Sequence, residues 1–267
     1  MSIGEPACVS ARIHPTAIVD PAARIPESCI IGPFCIVGED VEMGENCELL
    51  SHVVLKGPTR IGSSNRVFPF TTLGLEPQDL KFKGEKTRLE IGDNNTIREY
   101  VTINRGTIGD AKVTRIGNNN WIMAYVHFAH DCQIGNNTIF ANACQLAGHV
   151  WVGDWAIFGA TTLVHQFVHI GAHAFTGMGT YLPQDLPPYV TAAGNMAQPY
   201  GINKEGLKRR GFSADTIAGL KRAYKTLYRK GLSLEDATRA LQEQVSACAE
   251  VQEILDFLAR SKRGIIR

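Results

Sequence analysis

Apolar residues recur at every sixth position along most of this chain, and this spacing restricts the folds that the chain can adopt. The repeat runs from Ile13 to Leu73, resumes from Ile91 to Ile103, and continues from Ile116 to Leu182 with one interruption, at Thr176. A period of six matches neither the α-helical repeat of about 3.6 residues nor the alternation of a single strand. It is typical of a solenoid in which each hexad forms one short β-strand and one corner, with about three hexads to a coil.

Small and polar residues follow the repeated apolar positions and indicate how the corners are made. Glycine often stands directly after the apolar residue, as at Gly32, Gly38, Gly44 and Gly62. We interpret these glycines as corner residues with positive φ, which glycine adopts without steric cost. Asparagines near the corners suit the same backbone conformation. They are Asn65, Asn94, Asn119 and Asn136.

The chain has seven cysteines, and their phase in the repeat predicts a structural role. Five of them fall four places after a repeated apolar residue, in a slot that elsewhere holds Ala or Val: Cys29, Cys35, Cys47, Cys132 and Cys144. The odd number and the absence of a CxxC pair do not suit a disulfide framework. We therefore expect reduced, inward-facing cysteines that act as small apolar fillers.

Composition excludes several classes of protein. The net charge of +1 argues against a general nucleic-acid or polyanion binder. No apolar run approaches the ~20 residues that a membrane span needs. The N-terminal sequence MSIGEPACVSARIHP lacks a basic segment followed by an apolar core, so we expect no secretion signal and a cytoplasmic location.

Changes of pattern divide the chain into two predicted domains. The polar stretch 74–88, GLEPQDLKFKGEKTR, interrupts the repeat and predicts an ejected loop, the kind of segment that carries binding residues on a rigid solenoid. The second, shorter interruption covers Asn104 to Lys112. After Leu182 the chain is Pro-rich and then takes on a helical pattern. We predict a β-solenoid domain over residues 1–190 and a helical domain over 191–267 that covers the open end of the solenoid.

Six of the eight histidines lie in the last repeat block, and four of these are candidates for chemistry: His127, His130, His149 and His165. Residues about 18 apart should lie above one another on successive coils, so His130, His149 and His165 should crowd near one corner. One histidine could serve as general base toward a hydroxyl group, or three imidazoles could bind zinc. Asp131 could orient His130, although neighbours in a strand usually point apart, and a solvated carboxylate is the alternative.

Charged residues outside this block are further candidates for ligand contacts. The ejected loop supplies Gln78, Asp79 and Lys81. Lys81 could be a solvated charge, or it could bind a sugar or a phosphate as a point charge. A basic run that ends in Arg209 and Arg210 follows Asn203 and Glu205. Such runs are usually solvated helix faces, but this run could contact an anionic partner.

Six segments of the chain match a known family: GLEPQDLKFKGE, AYVHFAHDCQIGNN, LAGHVWVGD, TTLVHQF, QDLPPYV and GINKEGLKRRGFS. Through them the chain closely resembles the bacterial acyl-carrier-protein:UDP-N-acetylglucosamine O-acyltransferases, which begin lipid A synthesis, and the resemblance spans nearly the whole chain. HFAHDC and NKEGLKRRGF are specific to this family, whereas the hexads are shared with many acetyltransferases. The resemblance implies an all-β, left-handed parallel β-helix with a C-terminal α-helical domain, assembled as a homotrimer with active sites between subunits.

Residue by residue, the resemblance assigns roles in this reaction. It implies that His130 is the general base for the glucosamine 3-hydroxyl, that Asp131 orients it, and that the N–H of Gly148 stabilises the oxyanion. Further residues match contacts to the sugar nucleotide or the acyl group: Gln78, Asp79, Lys81, His127, His149, His165, Gln166, Asn203, Glu205, Arg209 and Arg210.

Met178 and Met196 stand where some members of the family have Gly and His, and we expect them to set the acyl length. A Met plug predicts a preference for about ten carbons over about fourteen. The resemblance implies no metal and no cofactor beyond the phosphopantetheine arm of acyl carrier protein. A zinc enzyme, as in hexapeptide-repeat carbonic anhydrases, and a non-catalytic scaffold are the alternatives.

Overall fold

The structure is a computed structural model that describes residues 12–109 and 112–267. The expectations for the N-terminal segment and for Cys8 concern residues outside these ranges. Within them, most hexads form a two-residue strand that ends at the repeated apolar residue. The first repeat block contains β1 (Arg12–Ile13), β2 (Ile18–Val19), β3 (Ile30–Ile31), β4 (Ile36–Val37), β5 (Val41–Met43), β6 (Glu48–Leu49), β7 (Val54–Leu55), β8 (Thr59–Ile61), β9 (Arg66–Val67) and β10 (Thr72–Leu75).

The remaining strands follow the ejected loop. The second block contains β11 (Arg88–Ile91), β12 (Thr96–Ile97) and β13 (Thr102–Asn104). The third contains β14 (Val113–Ile116), β15 (Trp121–Ile122), β16 (His127–Phe128), β17 (Gln133–Ile134), β18 (Ile139–Phe140), β19 (Gln145–Leu146), β20 (Trp151–Val152), β21 (Ile157–Phe158), β22 (Leu163–Val164), β23 (His169–Ile170), β24 (Phe175–Thr176) and β25 (Tyr181–Leu182). A hairpin of β26 (Val190–Ala193) and β27 (Gln198–Ile202) ends the series.

The strands stack into three sheets, and most coils contribute one strand to each sheet. Sheet A runs from β1 through β3 and β6 to the terminal hairpin, sheet B from β2 through β4 to β25, and sheet C from β5 through β8 to β23. Phe140 pairs in parallel with Phe158, an offset of 18 residues that confirms the predicted stacking of coils. The solenoid is a left-handed parallel β-helix with a C-terminal helical domain, which confirms the predicted fold class.

The predicted conformation of the corner glycines was wrong. The positive-φ position lies three residues after the repeated apolar residue, as at Phe34, Asn94 and Asn119, and the four glycines do not adopt it. Glycine is required at position 32 for another reason, because a Cβ there would lie 2.5 Å from the carbonyl oxygen of Leu50 on the next coil. The glycines therefore allow neighbouring coils to approach each other.

Two of the four asparagines also differ from the prediction. Asn94 and Asn119 have positive φ, but Asn65 and Asn136 do not. The Asn65 amide is buried and donates to the carbonyl groups of Gly62 and Gly92. These side chains bridge successive coils, because an inward-facing amide on a solenoid must find its partners on the coils above and below.

The cysteines are buried fillers, as predicted. All six cysteines within the described ranges are free and buried. The Sγ of Cys29 donates to the carbonyl of Gly44 on the next coil, at 3.2 Å. Burial raises the pKa of the Cys132 thiol to about 12 and that of Cys144 to about 11, so both remain protonated.

Thr176, which interrupts the apolar repeat, has a hydrogen-bonding partner inside the solenoid. Its hydroxyl group lies 2.9 Å from that of Thr162.

The C-terminal region contains four α-helices and one turn of 3₁₀-helix within the described residues: α1 (Lys204–Arg209), α2 (Ala214–Tyr228), α3 (Leu234–Gln242), Val245–Ala247 in 3₁₀ form, and α4 (Val251–Arg260). Ser213 and Ser233 cap α2 and α3, because their hydroxyl groups accept hydrogen bonds from the N–H groups of Thr216 and Asp236. Strand β26 extends sheet A beside β24, and the Tyr224 hydroxyl donates to the carbonyl of Pro199 in β27. The helices therefore pack against the end of the solenoid through the hairpin.

No helix in the described part of the chain combines the length and the apolar character needed to cross a bilayer.

Candidate active site

The corner between sheets B and C holds the residues that the sequence singled out for chemistry. His130 and Asp131 lie between β16 and β17, and on the next coil Gly148 and His149 lie between β19 and β20. The His149 N–H donates to the carbonyl of His130 at 3.0 Å, which ties the two corners together. This corner is called the histidine corner below.

The corner conformation brings Asp131 to its neighbour His130. Asp131 has a φ of +60° and is therefore not part of an extended strand, in which adjacent side chains point apart. Its Oδ2 lies 3.0 Å from Nδ1 of His130. Because a carboxylate accepts hydrogen bonds, Nδ1 carries the proton and Nε2 has the free lone pair.

The alternative view of Asp131 as a solvated charge is wrong, because this residue is 1% exposed. Its carboxylate accepts hydrogen bonds from the backbone N–H of Thr107 at 3.0 Å and from the Thr107 hydroxyl at 2.6 Å. Burial by itself raises the pKa of Asp131, but the hydrogen bonds from His130 and Thr107, with His149 nearby, outweigh burial and lower it. The carboxylate is thus held ionised beneath the imidazole.

Gly148 provides the surface on which the His130 ring lies. A Cβ at position 148 would be 2.6 Å from Cε1 and 2.8 Å from Nε2 of that ring. The corner leaves the N–H of Gly148 without a coil-to-coil bond, and it donates to no acceptor among residues 12–109 and 112–267. His149 meets His130 edge to face at 5.0 Å and stacks on Phe167 at 4.4 Å.

His127 stands at the start of the same corner, on the outer face of sheet B. Its Nδ1 lies 2.7 Å from the hydroxyl of Thr102 on the preceding coil. Burial, with a smaller contribution from nearby His130, lowers the pKa of His127 even though the contact with Thr102 opposes the change. His127 is therefore a neutral hydrogen-bonding group at pH 7.

The predicted crowding of three histidines brings His130 and His149 into ring contact, whereas His165 lies at the same corner one coil further along. Register places Gln166, not His165, above Gly148, because His165 falls 16 residues after His149 and not a full coil. Its Nδ1 lies 3.1 Å from the carbonyl of Gln166. His165 and Gln166 therefore flank the histidine corner one coil further along.

A site of three imidazoles for zinc does not form at this corner. Across the two described ranges, one group of three metal-ligating side chains occurs, with ligand atoms within 4.8 Å: His130, Asp131 and His149. The Asp131 carboxylate in that group already accepts from Thr107 and His130, which leaves little lone-pair capacity for a metal ion. The donor set suits a hydrogen-bonded pair better than a zinc centre.

The ejected loop, between β10 and β11, presents polar side chains to solvent. Asp79 accepts a hydrogen bond from the backbone N–H of Lys81 at 2.9 Å, which forms a tight turn. The side chains of Gln78 and Lys81 are exposed and make no hydrogen bond or ion pair with other described residues. Arg105 fixes the base of the loop, since its guanidinium donates to the carbonyl of Gly74 at 3.2 Å. The loop is thus anchored at its base and open at its tip.

A second group of candidate residues lies at a different edge of the solenoid. The Asn203 amide donates to the carbonyl of His173, and Arg210 donates to the carbonyl of Trp155 at 3.0 Å. Trp155 and His173 occupy the corner between sheets C and A, called the arginine corner below. Arg209 is exposed beside Arg210, whereas Glu205 pairs with Lys208. Within one chain, the width of sheet C therefore separates this group from the histidine corner.

Stacked rings support Arg210 at the arginine corner. His173 lies between Trp155 and Tyr189, with nearly parallel planes, and its Nδ1 is 3.4 Å from the Arg210 guanidinium. Burial first, and the neighbouring Arg210 second, lower the pKa of His173 to about 4. A neutral imidazole can accept the hydrogen bond from the arginine, so His173 supports the charge instead of repelling it.

Met178 and Met196 lie on two segments that meet at the far end of sheet B. Met178 is 78% exposed at the corner that precedes β25, and Met196 is 55% exposed in the turn of the terminal hairpin. Backbone bonds between Tyr181 and the hairpin turn connect the two segments. One outward row of sheet B connects this end to the histidine corner: His127, Gln145, Leu163 and Tyr181.

Several site residues could not be identified from the sequence. Thr107 and Thr102 hold Asp131 and His127, yet neither has a signature in the hexad pattern. Thr107 comes from the second interruption of the repeat, which the chain folds back against the histidine corner. The aromatic support of Arg210 by Trp155 depends on coil stacking and could have been predicted from an offset of 18 residues between Trp155 and His173.

The chain is similar to a large group of curated enzymes and solved structures. Residues 185–266 match the family described as "Udp N-acetylglucosamine O-acyltransferase; Domain 2", and residues 22–57 and 114–148 match "Bacterial transferase hexapeptide (six repeats)". The acyl-[acyl-carrier-protein]–UDP-N-acetylglucosamine O-acyltransferase of Janthinobacterium sp. is 54% identical over 259 residues, which cover 96% of this chain and 99% of that protein. The enzyme of the same name from Thiobacillus denitrificans is 59% identical over 203 residues, 76% of this chain and 79% of its own length.

Solved structures agree along the whole fold. The UDP-N-acetylglucosamine acyltransferase of Francisella novicida superimposes with a TM-score of 0.94 at 43% identity and covers 96% of this chain and 94% of its own. The UDP-N-acetylglucosamine O-acyltransferase of Moraxella catarrhalis gives 0.94 at 44% identity, with 96% and 100% covered. This chain is an O-acyltransferase that belongs to the acyl-[acyl-carrier-protein]–UDP-N-acetylglucosamine O-acyltransferase family.

Proposed function

We propose that this enzyme transfers a 3-hydroxyacyl group from acyl carrier protein to the glucosamine 3-hydroxyl of UDP-N-acetylglucosamine, the first step of lipid A synthesis. The names of the relatives support this choice of donor and acceptor. The observation that carries the mechanism is the hydrogen bond from Nδ1 of His130 to the buried carboxylate of Asp131. It leaves Nε2 as a base at a corner where a hydroxyl group can approach.

The reaction then follows from the chemistry of the histidine corner. Nε2 of His130 takes the proton from the 3-hydroxyl as its oxygen attacks the thioester carbonyl carbon. Negative charge develops on the thioester oxygen, and the N–H of Gly148 is a donor for it. The intermediate collapses to the ester as the pantetheine sulfur leaves and takes the proton from His130. Asp131 stabilises the imidazolium between the two proton transfers.

The acceptor is recognised by groups from several elements. Lys81 at the exposed loop tip supplies a point charge for a phosphate, with Asp79 and Gln78 as hydrogen-bonding partners for the sugar. His127, which is neutral, and His149 offer hydrogen bonds near the base. Further contacts to the nucleotide or acyl group come from a set at the edges of the site: His165, Gln166, Asn203, Glu205, Arg209 and Arg210.

We propose that the complete site forms between copies of the chain in a homotrimer. The support is the separation of the histidine corner from the arginine corner by one full face of the solenoid. A cyclic arrangement would bring the arginine corner of one subunit to the histidine corner of the next. The phosphates of UDP would then meet Lys81 and His127 of one chain and Arg209 and Arg210 of its neighbour.

The acyl chain would lie along the outward row of sheet B. Leu163 and Tyr181 give this row an apolar surface that leads from the base to Met178 and Met196. We propose that the two methionines end the groove. The reaction needs no metal and no cofactor besides the carrier's phosphopantetheine, and six free thiols in the described chain suit the reducing cytoplasm.

Incubation of the purified enzyme with UDP-N-acetylglucosamine and a 3-hydroxydecanoyl carrier protein tests the proposal. We expect a 3-O-acylated sugar nucleotide, identified by mass spectrometry and by the chemical shift of the glucosamine H3 proton. Treatment with a chelator followed by metal analysis provides the second arm. Acylation at another position, or none, would overturn the proposed reaction, and loss of activity together with a stoichiometric zinc ion would favour the zinc alternative.

A further inference from the structure

Residues 104–107, called the brace below, contact the base of the ejected loop. The Asn104 amide donates to the carbonyl of Glu76 at 2.9 Å. The guanidinium of Arg105 donates to the carbonyl of Gly74 at 3.2 Å, lies 5.2 Å from the centre of the Phe82 ring and pairs with Glu76 at 3.5 Å. The Arg105 side chain is only 12% exposed, so most of it packs between the loop and the solenoid.

The same brace contacts the histidine corner two residues later. Both the N–H and the hydroxyl of Thr107 donate to the Asp131 carboxylate. The intervening Gly106 has no room for a side chain, because a Cβ would lie 2.4 Å from the Val113 nitrogen and 2.8 Å from Oδ1 of Asp131. The brace thus packs directly against the carboxylate that holds His130.

We propose that the brace is a positioning element that sets the substrate loop and the His130–Asp131 pair relative to each other, with Arg105 and Thr107 as its positioning residues. This inference rests on the proposed acyl transfer. Neither residue reaches the reacting atoms. Arg105 acts on the direction of the loop that carries Asp79 and Lys81, and Thr107 acts on the carboxylate.

Geometry gives this role its physical basis. A base must lie within about 3 Å of the proton that it takes, and an error of about 1 Å in placement can cost about 10²-fold in rate. His130 receives its orientation from one carboxylate oxygen, and that oxygen receives its own from Thr107. The rigid, planar guanidinium of Arg105 can contact a carbonyl and an aromatic ring at once, which a lysine cannot do.

Several titratable groups face the Asp131 carboxylate together with Thr107. His130 faces Asp131 from its own corner, His149 faces it from the next coil at 3.9 Å, and Cys132 follows it in the chain. The hydrogen bonds from Thr107 are among the causes that lower the pKa of Asp131. Loss of the Thr107 hydroxyl should therefore raise the pKa of Asp131 toward its ordinary value.

Thr107→Val tests the catalytic half of the proposal, because it keeps the shape of the side chain and removes the hydroxyl. We expect kcat to fall about 10- to 100-fold, the equivalent of one hydrogen bond to a charged group, with the KM for UDP-N-acetylglucosamine unchanged. Thr107→Ser restores the hydroxyl and should recover most of the loss. Carbon NMR of the labelled Asp131 carboxyl group should record its titration at higher pH in the valine variant.

Arg105→Met tests the half that concerns the loop. We expect the KM for the sugar nucleotide to rise about fivefold or more with kcat largely kept, because the loop must then be ordered at the expense of binding energy. If the planar guanidinium is required, Arg105→Lys should show the same rise in KM as Arg105→Met. Arg115→Met, which removes an exposed arginine paired with Glu90 on sheet C, is the control for charge loss and should leave KM unchanged.

The outcomes separate this proposal from the proposed reaction. A wild-type enzyme that makes no acylated product would overturn the reaction, whereas NMR titration of Asp131 and calorimetric binding of the nucleotide still report on the brace. An active enzyme in which Thr107→Val keeps its kcat and Asp131 titrates as before would overturn the role of Thr107. Equal losses in the valine and serine variants, in step with a lower melting temperature, would reduce the brace to a stability element.

Discussion

The imidazole ring of His130 lies against the Cα of Gly148 on the next coil, and the two residues leave no space for a side chain between them. A methyl group at position 148 would sit 2.6 Å from Cε1 of the ring. The base and the proposed oxyanion donor are therefore fixed in one contact. The Gly148 backbone is held in turn by the following coil, because its carbonyl accepts a hydrogen bond from the N–H of Phe167 at 3.0 Å.

Gly148→Ala should consequently inactivate the enzyme without unfolding it. We expect the new methyl group to displace the His130 ring and kcat to fall about 100-fold, because misplacement of a base by about 1 Å has effects of this size. Steady-state kinetics and a melting curve provide the measurement. Gly38→Ala is the matched control, as the nearest atom to its Cβ would be in the flexible Lys56 side chain, at 3.2 Å. Near-normal turnover of the Gly148 variant would show that the contact is not needed.

His130→Ala should abolish turnover and leave the fold intact. The side chain is 18% exposed at the outer corner, so truncation creates no cavity in the core, whereas loss of a general base costs about 10²- to 10⁴-fold. Single-turnover assays with enzyme in excess separate the chemical step from product release. More than half of the wild-type activity, with an unchanged melting temperature, would assign the base to another residue.

The hexad pattern alone is sufficient to predict the coils and their stacking. An apolar residue at each sixth position must face inward in every coil, so the sequence spacing by itself places Phe140 and Phe158 above one another. The backbone at the corners is harder to predict. The positive-φ residue is set by the turn between two faces, and residues other than glycine, such as Asp131 and His149, occupy it.

The composition of the site is less completely predictable than the fold. The histidine corner follows from the offset of about one coil between His130 and His149, but Thr107 reaches Asp131 from a segment outside the repeat. No period predicts where such a segment returns. The position of the arginine corner is not predictable for a different reason. The sequence indicates that Arg210 contacts a ligand, but it does not reveal that Arg210 lies one face of the solenoid away from His130.

A mixing experiment tests the proposal that neighbouring subunits complete the site. The His130→Ala variant and the Arg209→Ala/Arg210→Ala double variant should each be nearly inactive. Co-expressed in equal amounts and combined at random, they should yield trimers in which about one site in four has both intact corners. We therefore expect partial recovery of activity in the mixed preparation.

Separately purified variants, mixed without subunit exchange, are the control for this experiment. Activity in the control would indicate that one variant retained function by itself. Absence of recovery in the co-expressed trimers would show that both corners must belong to one chain. The double variant should also keep its melting temperature, since Arg209 is exposed and Arg210 lies at the surface against Trp155.

The last prediction concerns acyl length, which Met178 should limit. Three coil steps of about 4.8 Å separate His127 from Tyr181 along the outward row of sheet B, about 14 Å in all. Each methylene of an extended chain adds a little over ~1 Å, so a groove that ends beside Met178 holds about ten carbons. Burial stabilises the acyl chain by about 0.8 kcal/mol per methylene only while the groove continues.

We therefore expect the wild-type enzyme to prefer a ten-carbon 3-hydroxyacyl donor over a fourteen-carbon donor. Met178→Gly should shift the preference toward the longer donor with kcat maintained. Met178→Leu keeps an apolar plug of similar volume and should keep the original preference. Competition assays with both donors in one reaction give the ratio of kcat/KM directly. A wild-type preference for fourteen carbons, or an unchanged ratio in Met178→Gly, would assign the end of the groove to another residue, with Met196 as the next position to substitute.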